Sequence, residues 1–203
     1  YCHNPDTWTM RNGIPVSVAR AAEQLRKYRH GLRIMGGGLT ISGGDAVRVF
    51  YIYDAGNPLT VSMSGLAITD GSVPGFGGGG IATDAGSDLT LNRMYLHDNL
   101  ADQGGGIASI NARLTILNST IADNSTTGSG VRWGGVANIN DAIISLQNSI
   151  VAHNDGRNCL VSGSWTTLGH NLSSDYYCDF TGTGDLQNTP ASLASLADYG
   201  GPT

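Results

Sequence analysis

The chain has 203 residues, 30 of them glycine; 40% are apolar, only 13% are charged, and the formal charge is −5. Glycine does not recur every third residue, which excludes collagen, and the Leu/Ile/Val runs supply burial that a disordered chain lacks. The acidic balance argues against nucleic acid as a partner, and no apolar run approaches the roughly 18 residues of a membrane span.

Residues 1–13 carry no periodicity and no charged-then-apolar leader. Pro15 suits a first helical turn, and Val18, Ala21, Ala22, Leu25 and Tyr28 come at helical spacing until Gly31 stops the run. This predicts an amphipathic helix within an N-terminal segment of residues 1–33, placed to cap the open end of a stack of strands. Its Arg20, Arg26, Lys27 and Arg29 read as a solvated face.

From Ile34 the signal changes to short strands and turns. Leu39 to Ser42 alternates, Gly43-Gly44 turns, and Val47, Val49, Tyr51 and Tyr53 fall on one face. The phrase Leu114–Asn124 then proves to be a repeat, matched at Leu89–Asn99, at Ile144–Asn154 and more weakly at Val61–Gly71, in steps of 28, 25 and 30 residues. Gly-Gly-Gly-Ile recurs between the copies at Gly78–Ile81 and Gly104–Ile107, and as Gly134-Gly135-Val136. A fixed period in this range means a stack of identical units. The prediction is an all-β, right-handed parallel β-helix over residues 34–185, with three-strand coils, and then an irregular tail of residues 186–203. Alternation puts Val61/Leu89/Leu114/Ile144, Met63/Leu91/Ile116/Leu146 and Ile68/Leu96/Ile121/Val151 inside, and Ser62/Thr90/Thr115/Ser145 outside. Gly71/Asn99/Asn124/Asn154 should stack as a ladder of turn residues whose amides bond from coil to coil.

Cys159 and Cys178 lie 19 residues apart in the least regular coil. A disulfide between them implies an oxidising, extracellular compartment, at the cell surface or secreted, and leaves Cys2 over. Trp165, Tyr176 and Tyr177 are expected to pack around that bond.

The coils Gly-Gly-Gly-Ile…Leu-Thr-Ile-Leu-Asn-Ser-Thr-Ile-Ala-Asp-Asn-Ser and Asn-Ser-Ile-Val-Ala-His-Asn resemble the bacterial right-handed parallel β-helix repeat proteins, a pectin-lyase-like group of secreted or surface-displayed chains. Residues 34–203 carry the likeness, including the ending Leu-Gly-His-Asn-Leu…Cys178…Gly-Asp-Leu…Leu-Ala-Asp-Tyr-Gly-Gly-Pro-Thr and its cysteine pair. The first 33 residues do not share it. Relatives continue past Gly-Gly-Pro-Thr, so the sequence is expected to be part of a longer product. The resemblance implies the fold and leaves the activity open, because the wider group includes lyases, glycoside hydrolases and epimerases as well as proteins with no known chemistry.

Parallel stacking brings equivalent residues within about 4.8 Å of each other. The position before the asparagine ladder reads Asp70, Asp98, Asp123, His153, with His97 beside Asp98 as a candidate for binding substrate. Carboxylates at that spacing could work as a catalytic pair on a polysaccharide, as in retaining glycosidases, or hold Ca²⁺; no other cofactor is indicated. The bland alternative is a row of solvated turn residues. Arg132 and Trp133 replace glycine on a long loop and suit stacking on a sugar ring and pairing with its acidic group. No nucleophile elbow, His-Glu-x-x-His motif, Walker loop or dinucleotide fingerprint is present. The sequence therefore favours a structural or glycan-contacting module. A polysaccharide hydrolase or lyase is one alternative, and end-to-end self-association through uncapped ends is another.

Overall fold

The computed structural model describes residues 39–53, 59–84, 86–127 and 130–193. They belong to one compact unit, Gly38–Leu196. The predicted helix, Cys2 and the last residues of the tail lie outside the described residues.

The unit is a parallel β-helix. Its first sheet stacks β3 (Thr60–Ser64), β7 (Asp88–Asn92), β11 (Arg113–Leu117), β15 (Ile143–Gln147) and β18 (Ser164–Thr167). The second stacks β1 (Leu39–Ser42), β4 (Leu66–Thr69), β8 (Tyr95–Leu96), β12 (Thr120–Ala122), β16 (Ile150–Ala152) and β19 (Leu172–Ser173). The third stacks β2 (Phe50–Ile52), β6 (Ile81–Thr83), β10 (Ile107–Ile110), β14 (Trp133–Ile139) and β17 (Arg157–Val161). A short fourth sheet, not anticipated from the sequence, lies between the second and third. It consists of β5 (Ser72–Gly77), β9 (Leu100–Gln103) and β13 (Ser125–Thr126). The stretch after each Asp/Asn turn thus pairs with its neighbours over three coils.

The register follows the sequence repeat. Leu114 pairs with Leu89 and Ile144, Ile116 with Leu91 and Leu146, and Ile121 with Leu96 and Val151. All of these side chains are fully buried at 0% exposure, so the period-two alternation of each strand points one row into the core. Each buried Leu or Ile contributes about 1.5–3 kcal/mol of transfer free energy, and the columns repeat that gain at every rung. Trp165 continues the Leu114 column below Ile144 and packs on the same core.

The asparagine ladder is present and runs one rung further than expected. Asn99 Nδ2 donates to Asn124 Oδ1 and Asn124 Nδ2 to Asn154 Oδ1, both at 2.9 Å, and Asn154 Nδ2 donates to Asn158 Oδ1 at 3.0 Å. Asn158 sits on β17, four residues after Asn154, because the last coil omits the fourth-sheet strand. Gly71 ends the ladder at the other side, where a Cβ would lie 2.2 Å from the Gly79 carbonyl oxygen. Its amide donates to Asn99 Oδ1 at 2.9 Å, so the row remains bonded. A second, exposed row crosses the turn between the first and second sheets: Asn118 Nδ2 donates to Asn92 Oδ1 at 2.9 Å, and Asn148 Nδ2 to Asn118 Oδ1 at 2.7 Å.

Cys159 and Cys178 form the expected disulfide, with Cα atoms 4.8 Å apart and both side chains buried. Tyr176 and Tyr177 do not pack around it. They are exposed, since the turn at Ser174–Tyr177 directs them outward while Phe180 fills the core instead. Beyond the disulfide the chain makes a closing rung. The Leu186 amide donates to the Asn171 carbonyl, the Ser173 amide to Leu186, and the Thr189 amide to Ser173. These bonds occupy the edge of β19, which is the edge that end-to-end pairing would use at this end of the stack.

Candidate functional site

The Asp70/Asp98/Asp123/His153 row stacks as the repeat implies, at the turn from the second sheet toward the fourth. Its backbone explains its composition: φ is 53°, 53°, 57° and 57° at the four positions. Among residues with a side chain, Asp, Asn and His enter this left-handed region most readily. Each residue precedes the inward-pointing ladder residue, so the positive φ is what reverses the chain direction and aims the asparagine inward.

Each carboxylate of the row has a partner. Asp70 Oδ2 accepts from the Ser42 hydroxyl at 2.8 Å, His97 Nδ1 lies 2.7 Å from Asp98 Oδ2, and His153 Nδ1 lies 4.0 Å from Asp123 Oδ1. The Asp98 side chain is 62% exposed and that of Asp123 50%. The His97 ring stacks on Tyr95 with centroids 4.4 Å apart and is mostly covered. Burial, then Asp123 and Asp98, push the Tyr95 phenol above its ordinary value. Tyr95, His97, Asp98, Asp123 and His153 therefore form one surface cluster across three rungs. Among the described residues, no group of three His, Cys, Asp or Glu side chains is placed to hold a metal ion.

Trp133 opens β14 and Arg132 precedes it. Arg132 Nη1 pairs with Asp155 Oδ2 at 3.1 Å, and Trp133 is partly buried. The ladder sets Trp133 opposite Arg157 and bridges it to Gly156. The Arg157 guanidinium in turn lies 3.9 Å from the centre of the Tyr177 ring. Arg157, which lies on Tyr177, is thus the strand neighbour of Trp133, which follows Arg132 in the chain. The sequence pointed to Arg132 and Trp133 only; Arg157 and Tyr177 belong to the irregular last coil, where no repeat column marks them. At the last coil this corner of the solenoid adjoins the row, since Asp155, the partner of Arg132, follows His153 by two residues and Trp133 bridges to Gly156.

No protein-family model matches the chain. Short stretches match curated proteins: 45% identity over 47 residues to the pyruvate formate-lyase 1-activating enzyme of Escherichia coli (strain K12), covering 23% of this chain and 19% of that protein. The pyruvate formate-lyase-activating enzyme of Clostridium pasteurianum is 38% identical over 47 residues, covering 23% and 20%. That of Listeria monocytogenes serovar 1/2a is 40% identical over 45 residues, covering 22% and 18%. The chain spans about a fifth of the length of the curated relatives it matches, and a match of that extent assigns neither family nor activity. No solved structure matches.

Proposed function

We propose that the chain is an extracellular, cell-surface or secreted β-solenoid module that contacts acidic glycans through the corner formed by Arg132, Trp133, Arg157 and Tyr177. The observation that carries this reading is the Arg157 guanidinium lying on Tyr177 opposite Trp133 in the ladder. Stacked in this way, the guanidinium is held flat with its N–H edge available to a carboxylate, and the aromatic rings offer apolar faces to a pyranose. The buried disulfide and the dense backbone bonding of the stack suit an oxidising compartment and a rigid scaffold role. The test is isothermal titration with oligogalacturonate at two salt concentrations. Binding that weakens with salt, and that is lost in Arg157→Ala and Tyr177→Ala while the melting temperature is kept, supports the reading. Equal binding by wild type and both variants refutes it.

A second reading comes from the paired His97–Asp98 and His153–Asp123 groups on neighbouring rungs, which place proton donors and acceptors side by side on the outer edge. In this reading the row Asp70, Asp98, Asp123 and His153 cleaves polysaccharide, or its carboxylates hold Ca²⁺. The exposure of Asp98 and Asp123 makes it the weaker of the two, because acid–base pairs gain their tuning from burial. Release of reducing ends or of unsaturated product absorbing near 235 nm, abolished by Asp98→Asn or Asp123→Asn, would favour it.

A further inference from the structure

The turn Ser174–Tyr177 carries one half of the Arg157–Tyr177 pair, and it belongs to none of the four sheets. Arg157, the other half, is fixed by its strand, where its amide donates to the Arg132 carbonyl at 2.8 Å. Tyr177 has no such support. It is 46% exposed, so core packing does not dictate where its ring lies.

Asp175 joins the two halves. Its Oδ2 accepts from the Asn158 amide at 2.7 Å, beside Arg157 on β17, and its Oδ1 accepts from the Tyr177 amide at 2.9 Å. The Ser173 hydroxyl donates to Oδ1 at 3.1 Å, which helps to orient the carboxylate. Asn158 Nδ2 donates to the Ser174 hydroxyl at 2.9 Å, so the last residue of the buried ladder meets this turn as well. The Cys159–Cys178 disulfide adds a second link, one residue beyond Tyr177. It restrains Cys178 but leaves the backbone torsions of Tyr177 free, whereas the bond to Asp175 holds the Tyr177 amide itself.

We infer that Asp175 is the positioning residue of this corner: it sets the Tyr177 ring against the Arg157 guanidinium before a ligand arrives. That the pair is held for a ligand rests on the reading of the corner as a contact for acidic glycans. A side chain already in place does not have to be ordered on binding, and that ordering would otherwise weaken affinity roughly two- to tenfold. Both oxygens of Asp175 are engaged by the chain's own donors, and its negative charge opposes an acidic ligand. Loss of the charge alone would therefore tighten binding, whereas loss of positioning weakens it. The sign of the change separates the two roles.

The experiment takes two readouts on the intact, oxidised chain. The first is the ring-current displacement of the Arg157 side-chain protons in NMR spectra, with Tyr177→Ala as the unstacked reference. Asp175→Ala should move these resonances most of the way to that reference while the amides of β11 stay in place. Asp175→Asn, which retains one of the two amide bonds, should fall between. The second readout is calorimetric titration with oligogalacturonate, which Asp175→Ala should bind roughly two- to tenfold more weakly than wild type. Arg157 resonances unchanged in Asp175→Ala overturn the inference, and should that variant fail to fold, unchanged resonances in Asp175→Asn do the same. Displaced resonances with equal or tighter oligogalacturonate binding also overturn it. A wild type that binds no oligogalacturonate refutes the glycan reading instead, and the Arg157 resonances still decide whether Asp175 positions the pair.

Discussion

Replacing Asn124 by alanine tests whether the buried ladder is what holds the coils in register. The Asn124 side chain donates to the Leu96 and Ala122 carbonyls at 3.0 Å each and to Asn154 Oδ1 at 2.9 Å. Its Oδ1 accepts from the Asn99 amide at 3.1 Å and from Asn99 Nδ2 at 2.9 Å. Alanine removes all of these bonds at a position with 0% exposure, and the Asn99 amide loses the acceptor it had. A buried donor left unsatisfied costs about 1–3 kcal/mol, and the lost net contribution of the other bonds brings the expected total to about 3–5 kcal/mol. For a domain stable by about 5–15 kcal/mol that is a large fraction. The control is Asn118→Gly in the exposed row, where φ is 49° and glycine fits. Water replaces the lost amide bonds there, and the expected cost is below about 1 kcal/mol. Urea unfolding monitored by far-UV circular dichroism measures both. Unfolding free energies for Asn124→Ala and Asn118→Gly that fall within about 0.5 kcal/mol of each other would show that burial of the ladder is not the source of its stabilising effect.

At Asp123, where φ is 57°, valine should destabilise by about 1–2 kcal/mol and glycine by little, because a β-branched side chain is disfavoured in the left-handed region; thermal melts of the two variants give the comparison. Reducing the Cys159–Cys178 bond, which closes a 19-residue separation, should cost about 3 kcal/mol in the chain-entropy model, seen as a lower urea midpoint with reductant and no such shift in the Cys159→Ser, Cys178→Ser double variant. Asp185 supports the closing rung. Burial alone would raise its carboxyl, but hydrogen bonds from the Asn171 amide, Thr167, the Gly182 amide and the Asn171 side chain outweigh it and hold the group below its ordinary 3.8. A depressed carboxyl stabilises the fold above the unfolded value and loses that contribution as pH falls through the folded one. Protection of the Leu186 and Thr189 amides, corrected for intrinsic exchange, should therefore drop below pH 3.8, and Asp185→Asn should flatten the dependence.

The core was legible because each strand alternates and each coil repeats the last. Leu89, Leu114 and Ile144 share a phase that only stacking in register satisfies, and the positions of Asn99, Asn124 and Asn154 are set by the same phase. The fourth sheet escaped notice because Ser72–Gly77, Leu100–Gln103 and Ser125–Thr126 have no common apolar pattern; backbone bonds join them, with the Asp102 side chain accepting from the Gly75 amide and the Thr127 hydroxyl. Asn158 was missed for a related reason, since it reaches the ladder from a different strand. At the candidate sites the repeat was a poor guide. It located the Asp/His row but not the positive φ that accounts for it. It also gave no sign that Arg157 and Tyr177 stand beside Arg132 and Trp133, which depends on how an irregular coil closes. Tyr51 could have been noticed: its rung partners are Ala82, Ala108 and Ala137, so an aromatic there breaks a column of alanines.

That break has a structural cause. The fourth sheet spans three coils only, β5, β9 and β13, and the glycines that follow β5 and β9, Gly78 and Gly104, lie close over the third sheet. A Cβ on Gly78 would lie 2.9 Å from the Ala82 methyl, and one on Gly104 2.9 Å from that of Ala137, so large side chains do not fit those columns. Beyond β5 and beyond β13 that restriction ends. Tyr51 with Phe76 occupies the first boundary, and Trp133 with Arg157 and Tyr177 occupies the second. Folding does not require aromatic surface there, because Phe76, Tyr51 and Tyr177 leave 68%, 54% and 46% of themselves in water and so contribute little apolar burial. Both boundaries combine exposed rings with a guanidinium stacked on one of them, one beside Asp84 and one beside the Arg132–Asp155 pair. Removing the rings at either boundary should thus cost little stability: in Phe76→Ala and Tyr177→Ala the melting temperature stays within about 2 °C of wild type, whereas a fall comparable to that of Asn124→Ala would mean that the rings are part of the fold after all.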